Sequence, residues 1–254
     1  MSDINLTLAD YEHINPTSTL EKDGHTITFC TPTEHVKALV DTIFVQEPET
    51  IQWISEFKAG EVFVDIGANI GLYSIWATVS QNVQCFCFEP ESLNFSILMR
   101  NIITNNLGGR LTAYPIAISD KSGFDKFHIT IFEYGESCHV FGEELDYAKQ
   151  PFDPVVSQGC YATSIDELIA GGTILIPNHI KIDVDGIESK IIEGAMETLK
   201  SPELKSLLIE MNDNLMDDWE MIYYLESKGF KATSAPPSVL APTPSVHNVV
   251  LRRA

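Results

Sequence analysis

The chain has 254 residues, 44% of them hydrophobic, 20% charged and 9% aromatic, a composition that excludes collagen, coiled coil and disorder. At this length it spans one large or two small domains and needs no metal or disulfide staple to hold a core. Sixteen Lys and Arg against 36 Asp and Glu leave a net charge of −20, which repels phosphate backbones and anionic lipid, so neither nucleic acid nor membrane is an expected partner.

Met1-Ser2-Asp3-Ile4-Asn5 lacks a basic region ahead of an apolar stretch, so no secretory leader is read there. No apolar run approaches the roughly 20 residues that span a bilayer. Five cysteines, an odd number with no CxxC pair, argue against both a disulfide framework and a zinc site. Together these features give a cytoplasmic protein. Residues 1–60 read as an N-terminal mixed α/β extension. In it, alternation over His25–Phe29 gives a strand, Val36–Val40 lies in a helix, and a second helix runs from Pro48 to Phe57, ended by Gly60.

Residues 61–254 form the main domain. Val62–Ile66 is a short apolar strand, followed by a Gly-containing turn and a helix from Ile70 to about Val79. Val83–Phe88 is a second buried strand, in which Cys85 and Cys87 pack as core; its helix carries Leu93, Ile97, Leu98 and Ile102. Leu111–Ile118 is a third strand. Residues 119–160 break the rhythm with a hairpin over Gly123–Ile131 and a long irregular insertion, about Phe132–Gln158, whose Gly and Pro suit a lid over the site. Ser164-Ile165-Asp166-Glu167 is a capping box. Ile180–Val184 is a strand followed by a helix over Glu188–Leu199, and Leu207–Glu210 a strand followed by a helix over Trp219–Lys228. Ser234–Val246, rich in Pro, Ser and Ala, is a loop before a last strand, His247–Leu251. Strands and helices alternating at this spacing give a mostly parallel sheet covered on both faces.

Three motifs carry chemistry. In Asp65-Ile66-Gly67-Ala68-Asn69-Ile70-Gly71, Gly67 lets the chain turn and approach a ligand closely, and Gly71 lets the next helix pack. Asn69 stands where a dinucleotide fingerprint has its second glycine, which disfavours a pyrophosphate. Glu89 ends the second strand, where a carboxylate can accept both hydroxyls of a ribose. An adenosine ligand without pyrophosphate satisfies both, and S-adenosylmethionine is one. Ile180–Glu188 brings Asp183, Asp185 and Glu188 to the end of a central strand, to bind an ammonium, a polar acceptor or Mg²⁺, or to furnish a negative first helical turn.

The Asp65–Gly71 segment, Glu89-Pro90 with its Asn94, Leu98 and Asn101 helix, the Ala117–Asp120 turn and Lys181–Glu188 resemble, in this order, the FkbM family of S-adenosylmethionine-dependent methyltransferases. The resemblance covers residues 60–215. It implies a doubly wound, seven-stranded, Rossmann-like class I methyltransferase sheet with S-adenosylmethionine as cofactor. Asp65, Gly67, Asn69 and Gly71 would form the cofactor loop, Glu89 would take the ribose, Ala117 would sit near the adenine, and Asp183 beside the methionine moiety or the acceptor. Family members commonly have Glu where this chain has Asp185.

The activity expected is O-methylation of a hydroxyl on a small molecule or carbohydrate, with no protein metal. Its general base is sought among Asp183, Asp185, His139 in the insertion and His247 before the last strand. Tyr134, Ser137 and Cys138 are candidate acceptor contacts. Loss of Glu89 is expected to cost cofactor affinity and little stability. The competing readings are an NAD-dependent or nucleotide-sugar oxidoreductase, and a catalytically silent interaction module on the same fold.

Overall fold

The computed structural model describes residues 6–234 and 245–254. It begins with α1 (Leu8–His13), a hairpin of β1 (Thr17–Lys22) and β2 (His25–Cys30), then α2 (Glu34–Gln46) and α3 (Pro48–Ile54). The hairpin turns through Asp23 and Gly24 at φ 53° and 81°, the left-handed pair a two-residue turn demands. Next come β3 (Val62–Ile66), α4 (Leu72–Ser80), β4 (Gln84–Phe88), α5 (Ser92–Thr104) and β5 (Leu111–Tyr114). A second group holds β6 (Ala117–Ile118), β7 (Gly123–Ile129), β8 (Val140–Phe141) and β9 (Val156–Thr163). The chain continues through α6 (Ile165–Ala170), β10 (His179–Ile182), α7 (Glu188–Glu193) and β11 (Ser206–Asn212). It closes with α8 (Met216–Ser227), β12 (Phe230–Ser234) and β13 (Val246–Arg253).

The main sheet has seven strands in the order β12-β13-β11-β10-β3-β4-β5, and β13 alone runs antiparallel to its neighbours. Every residue of β3 is buried, as a central strand requires. Its alternate side chains feed two cores. Val62, Val64 and Ile66 pack with Ile165, Ile191 and Leu225 beneath α6, α7 and α8. Phe63 packs with Val40, Trp53, Ile75 and Leu98 beneath α2, α3, α4 and α5. The sheet is therefore doubly wound, as expected. Each fully buried Phe, Leu or Ile stabilises it by about 1.5–3 kcal/mol. Trp53 ties the N-terminal helices to the sheet, donating from Nε1 to Ser206 Oγ at 2.7 Å.

Four expectations need correction. The third strand is not continuous: β5 joins the main sheet and β6 the second sheet, because Pro115 between them has no N–H for a ladder. Gly123–Ile131 is not a hairpin. Gly123–Ile129 is one strand, paired antiparallel with β9 and β8 in a four-stranded sheet β6-β9-β7-β8. The helix after β10 stops at Glu193. A Cβ on Gly194 would lie 2.2 Å from the Ser119 carbonyl, so the backbone there packs against the β6 turn and leaves only a 3₁₀ turn over Thr198–Lys200. The helix from Pro48 ends at Ile54 rather than Phe57; the Phe57 ring instead stacks on His179 at 3.8 Å. Of the loop read over Ser234–Val246, residues 235–244 lie outside the described residues. Among the described residues no helix is long and apolar enough to cross a membrane.

Candidate active site

Strand register builds the site. Ile66 pairs with Phe88 on one side and Ile182 on the other, and Ile182 pairs with Ile209. The next residues, Glu89, Gly67, Asp183 and Glu210, therefore stand side by side along the carboxyl edge of β4, β3, β10 and β11. The order of connections reverses between β3 and β10, which is where an open parallel sheet binds ligands. A cleft of about 280 Å³ opens there, lined by these four residues and by Asp65, Asn69, Lys181, Asp185 and residues 135–139.

Asp65 and Lys181 are in register below the rim. Ser74 Oγ donates to Asp65 Oδ2 at 2.5 Å, while Asp65 Oδ1 is buried with no partner among the described residues. Burial pushes the Asp65 carboxyl above its usual range, against the pull of Lys181 and Ser74. The Lys181 ammonium is buried too, which disfavours its charge, but Asp183, Glu47 and Asp65 outweigh that and keep it protonated. It donates to Asp183 Oδ2 at 2.5 Å and lies 5.3 Å from the centre of the Tyr73 ring.

Gly67, at φ 82°, is where no side chain fits: a Cβ would meet the Asp183 carbonyl at 1.8 Å. Gly71 lies behind the cleft, its Cβ position occupied by Leu98 Cδ1 at 2.4 Å, and it starts α4 at φ 86°. Glu89 is 5% exposed and accepts the Asn69 N–H at 2.7 Å and the Glu91 N–H at 2.8 Å, one on each oxygen. Burial pushes its carboxyl up to about 8, although both N–H groups oppose the shift. This revises the expectation that its loss would spare stability, since both amides would be left without an acceptor.

The insertion returns over the carboxyl edge, as expected. Asn69 Nδ2 donates to the Gly135 and Glu136 carbonyls at 3.2 Å, and Asn94 Nδ2 to Glu136 at 2.9 Å. Gly135 N–H donates to Asn94 Oδ1 at 2.7 Å, and Cys138 N–H to Asp185 Oδ2 at 2.7 Å. Cys138 and Asp185 are both left-handed, at φ 64° and 63°. Asp185 is pushed up to about 7 by burial and by Asp183, against the Cys138 N–H.

His139 is 6% exposed and lines the cleft. Thr130 N–H donates to its Nδ1 at 3.3 Å, and burial lowers its affinity for a second proton. Nδ1 also lies 3.1 Å from Thr130 Oγ1, while Nε2 has no partner among the described residues.

Three further residues fall outside the cleft. Ala117 opens β6, paired with Ala162 in the second sheet, and is not among the residues lining the cleft. His247 sits on β13 with Nδ1 3.8 Å from Asp213 Oδ2. Tyr134 packs with the core beneath α2 and α5, while Ser137 and Cys138 line the cleft. Glu188 folds back on its own loop, accepting the Gly186 N–H with both oxygens at 3.1 Å. Among the described residues no group of three or more His, Cys, Asp or Glu is placed to hold a metal ion.

The sequence reading missed Lys181, Glu210, Glu47 and Tyr73. Lys181 had a signal, a lysine inside the apolar strand Ile180–Ile182, and so had Glu210, a strand-end carboxylate like Glu89. Glu47 and Tyr73 reach the cleft from helix ends and had none.

Comparison with known proteins agrees with this architecture. The chain is 24% identical over 219 residues to the 31-O-demethyl-FK506 methyltransferase FkbM of Streptomyces tacrolimicus, covering 78% of this chain and 83% of that one. It is 26% identical over 148 residues to the hexuronic acid methyltransferase AglP of Haloferax volcanii, 58% of this chain and 55% of that one. The crystal structure of methyltransferase FkbM from Methylobacillus flagellatus KT superposes with a TM-score of 0.54 at 18% identity. The match covers 86% of this chain and 51% of that one, so the chain spans about half the length of that structure. The Methyltransferase FkbM domain signature matches residues 65–232, and the chain belongs to the FkbM methyltransferase family.

Proposed function

We propose that the protein is an S-adenosylmethionine-dependent methyltransferase that acts on a hydroxyl of a small molecule or carbohydrate. The observation that carries this reading is Glu89 level with Gly67 on the carboxyl edge, beside the point where the strand order reverses. A buried carboxylate there, beside a backbone that admits no Cβ, suits a ribose and its amino-acid tail. The unpartnered Asp65 Oδ1 supplies a further acceptor for a donor of the same ligand. In this reading Glu89 accepts the ribose hydroxyls, the Asp65–Gly71 loop seats the nucleoside side, and Asn69 closes residues 135–136 over it. S-adenosylmethionine, when bound, supplies a methyl group activated by its sulfonium. The printed names of two relatives, 31-O-demethyl-FK506 and hexuronic acid methyltransferases, support acceptors of this kind. The five free cysteines suit the cytoplasm.

The chain's own groups divide the work. Asp183, paired with Lys181, orients, whereas Asp185, near 7, is matched to take the hydroxyl proton near neutral pH. His139 Nε2 hydrogen-bonds the acceptor. Holding hydroxyl and methyl in line supplies much of the acceleration. The test is transfer of an isotope-labelled methyl from S-adenosylmethionine to a library of hydroxylated glycosides and macrolides, located by mass spectrometry. An O-methyl product that Asp185→Asn lowers by about 10²-fold or more is expected. Label on nitrogen or carbon would refute O-methylation.

A further inference from the structure

One corner of the cleft is made of hydrogen-bond acceptors. Glu210 stands beside Asp183 on the rim and pairs across β13 with Asn248. Glu47, between α2 and α3, covers the same face, accepting Thr50 Oγ1 at 2.8 Å and Asn248 Nδ2 at 3.1 Å. Asn248 Nδ2 also donates to Glu49 at 3.1 Å, so its Oδ1 is left buried with no donor among the described residues. No donor among the described residues meets the Glu210 carboxylate either. The neighbouring cation, Lys181, is committed to Asp183. Buried His139 lines the same cleft, its Nε2 without a partner among the described residues.

Acceptors left without donors cost free energy, and like charges brought together cost more. Burial, with Asp183, Asp185, Glu188 and Glu47 nearby, holds Glu210 well above the ordinary carboxylate range. A ligand that brings both donors and positive charge relieves all of this. We propose that the acceptor is a hydroxylated molecule bearing a protonated amine, its ammonium seated against Glu210 and its reacting hydroxyl toward Asp185. The proposal rests on the methyltransferase reading above. An ammonium offers three N–H donors, and Glu210 and Glu47 both line the cleft to accept them. A neutral sugar brings no positive charge to favour the ionised Glu210, and an acid adds a further negative charge to the corner. In charge preference this chain then differs from its relative named for hexuronic acid.

The test compares probes that share one ring and differ in charge. Protein saturated with S-adenosylhomocysteine is titrated in a calorimeter with methyl glucosaminide, methyl glucoside and methyl glucuronide, and with 2-deoxystreptamine as a second amine. The amine probes are expected to bind about tenfold or more tighter than the glucoside, with no binding of the glucuronide. Glu210→Gln should bring the amine and neutral probes within about twofold of each other and leave S-adenosylhomocysteine affinity unchanged. Equal or tighter binding of the glucoside or glucuronide overturns the proposal, as does failure of both amines to bind at millimolar concentration. A preference kept in Glu210→Gln also overturns it. Loss of S-adenosylhomocysteine binding in that variant would assign the carboxylate to the cofactor instead. Should wild-type protein not bind S-adenosylhomocysteine, the methyltransferase reading fails, and the same titrations without it still decide whether the corner selects amines. The wild-type comparison holds whatever the fold of the variant.

Discussion

If Glu89 takes the ribose as proposed, cofactor binding is linked to pH. Its carboxyl is pushed up to about 8 by burial, so near neutral pH it is mostly protonated in the free protein. Two ribose hydroxyls donating to it favour the ionised form, so binding must release a proton. At about pH 6, two units below that value, roughly one molecule in a hundred is ionised. Ionising the rest costs about 2.7 kcal/mol, an affinity about 100-fold weaker than at high pH. Calorimetric titration of S-adenosylhomocysteine between about pH 6 and 9 should show affinity rising close to tenfold per unit and levelling near 8. Asp185 titrates in the same cleft near 7, so the informative quantity is the difference between wild type and Glu89→Gln. The variant cannot ionise and should lose this slope. It should also lose about 1–3 kcal/mol of stability, because its amide nitrogen would face the N–H of Asn69 or Glu91. Identical pH profiles in the two proteins would refute the assignment of Glu89 to the ribose.

Gly67→Ala should abolish S-adenosylhomocysteine binding and lower the melting temperature, since its Cβ meets the Asp183 carbonyl at 1.8 Å; unchanged binding would remove Gly67 from the site. Asn94→Ala removes the acceptor for Gly135 N–H and a donor to Glu136. Amide exchange over residues 134–139 should quicken about tenfold, and exchange equal to wild type would mean other contacts hold the strap. Burial raises the Glu61 carboxyl, but Lys205, the Lys58 N–H and His179 outweigh it and hold it at about 2. A lowered value stabilises the fold above the unfolded value of 4.5 and is lost as pH falls through 2. Glu61→Gln should therefore cost about 1–3 kcal/mol at neutral pH, with the gap to wild type closing near pH 2; a constant gap would contradict the ion pairing.

Local patterns carried much of this fold because they follow periodicity. The β3–α4–β4–α5 run and the Ser164 capping box follow from short-range rules, and both stand in the structure. Pairing between distant segments does not leave such a trace. β7 meets β9 some thirty residues later through a ladder from Gly123–Ala162 to Ile129–Val156, and the mostly exposed first half of each strand hides it. The split of the third strand left no trace either, because Pro115 redirects the chain between sheets. The carboxylates Asp65, Glu89, Asp183 and Asp185 were legible as strand-end residues, and all line the cleft. The contact of His139 with Thr130 was not, since only the folded chain makes it.

The central claim is that the carboxyl edge binds S-adenosylmethionine. Thermal unfolding with S-adenosylhomocysteine or NAD, each in excess, tests it most directly, because a ligand of the native state alone stabilises by about 2.7 kcal/mol at a hundredfold its dissociation constant. The account predicts a raised melting temperature with S-adenosylhomocysteine and none with NAD. A shift with NAD and none with S-adenosylhomocysteine would contradict it.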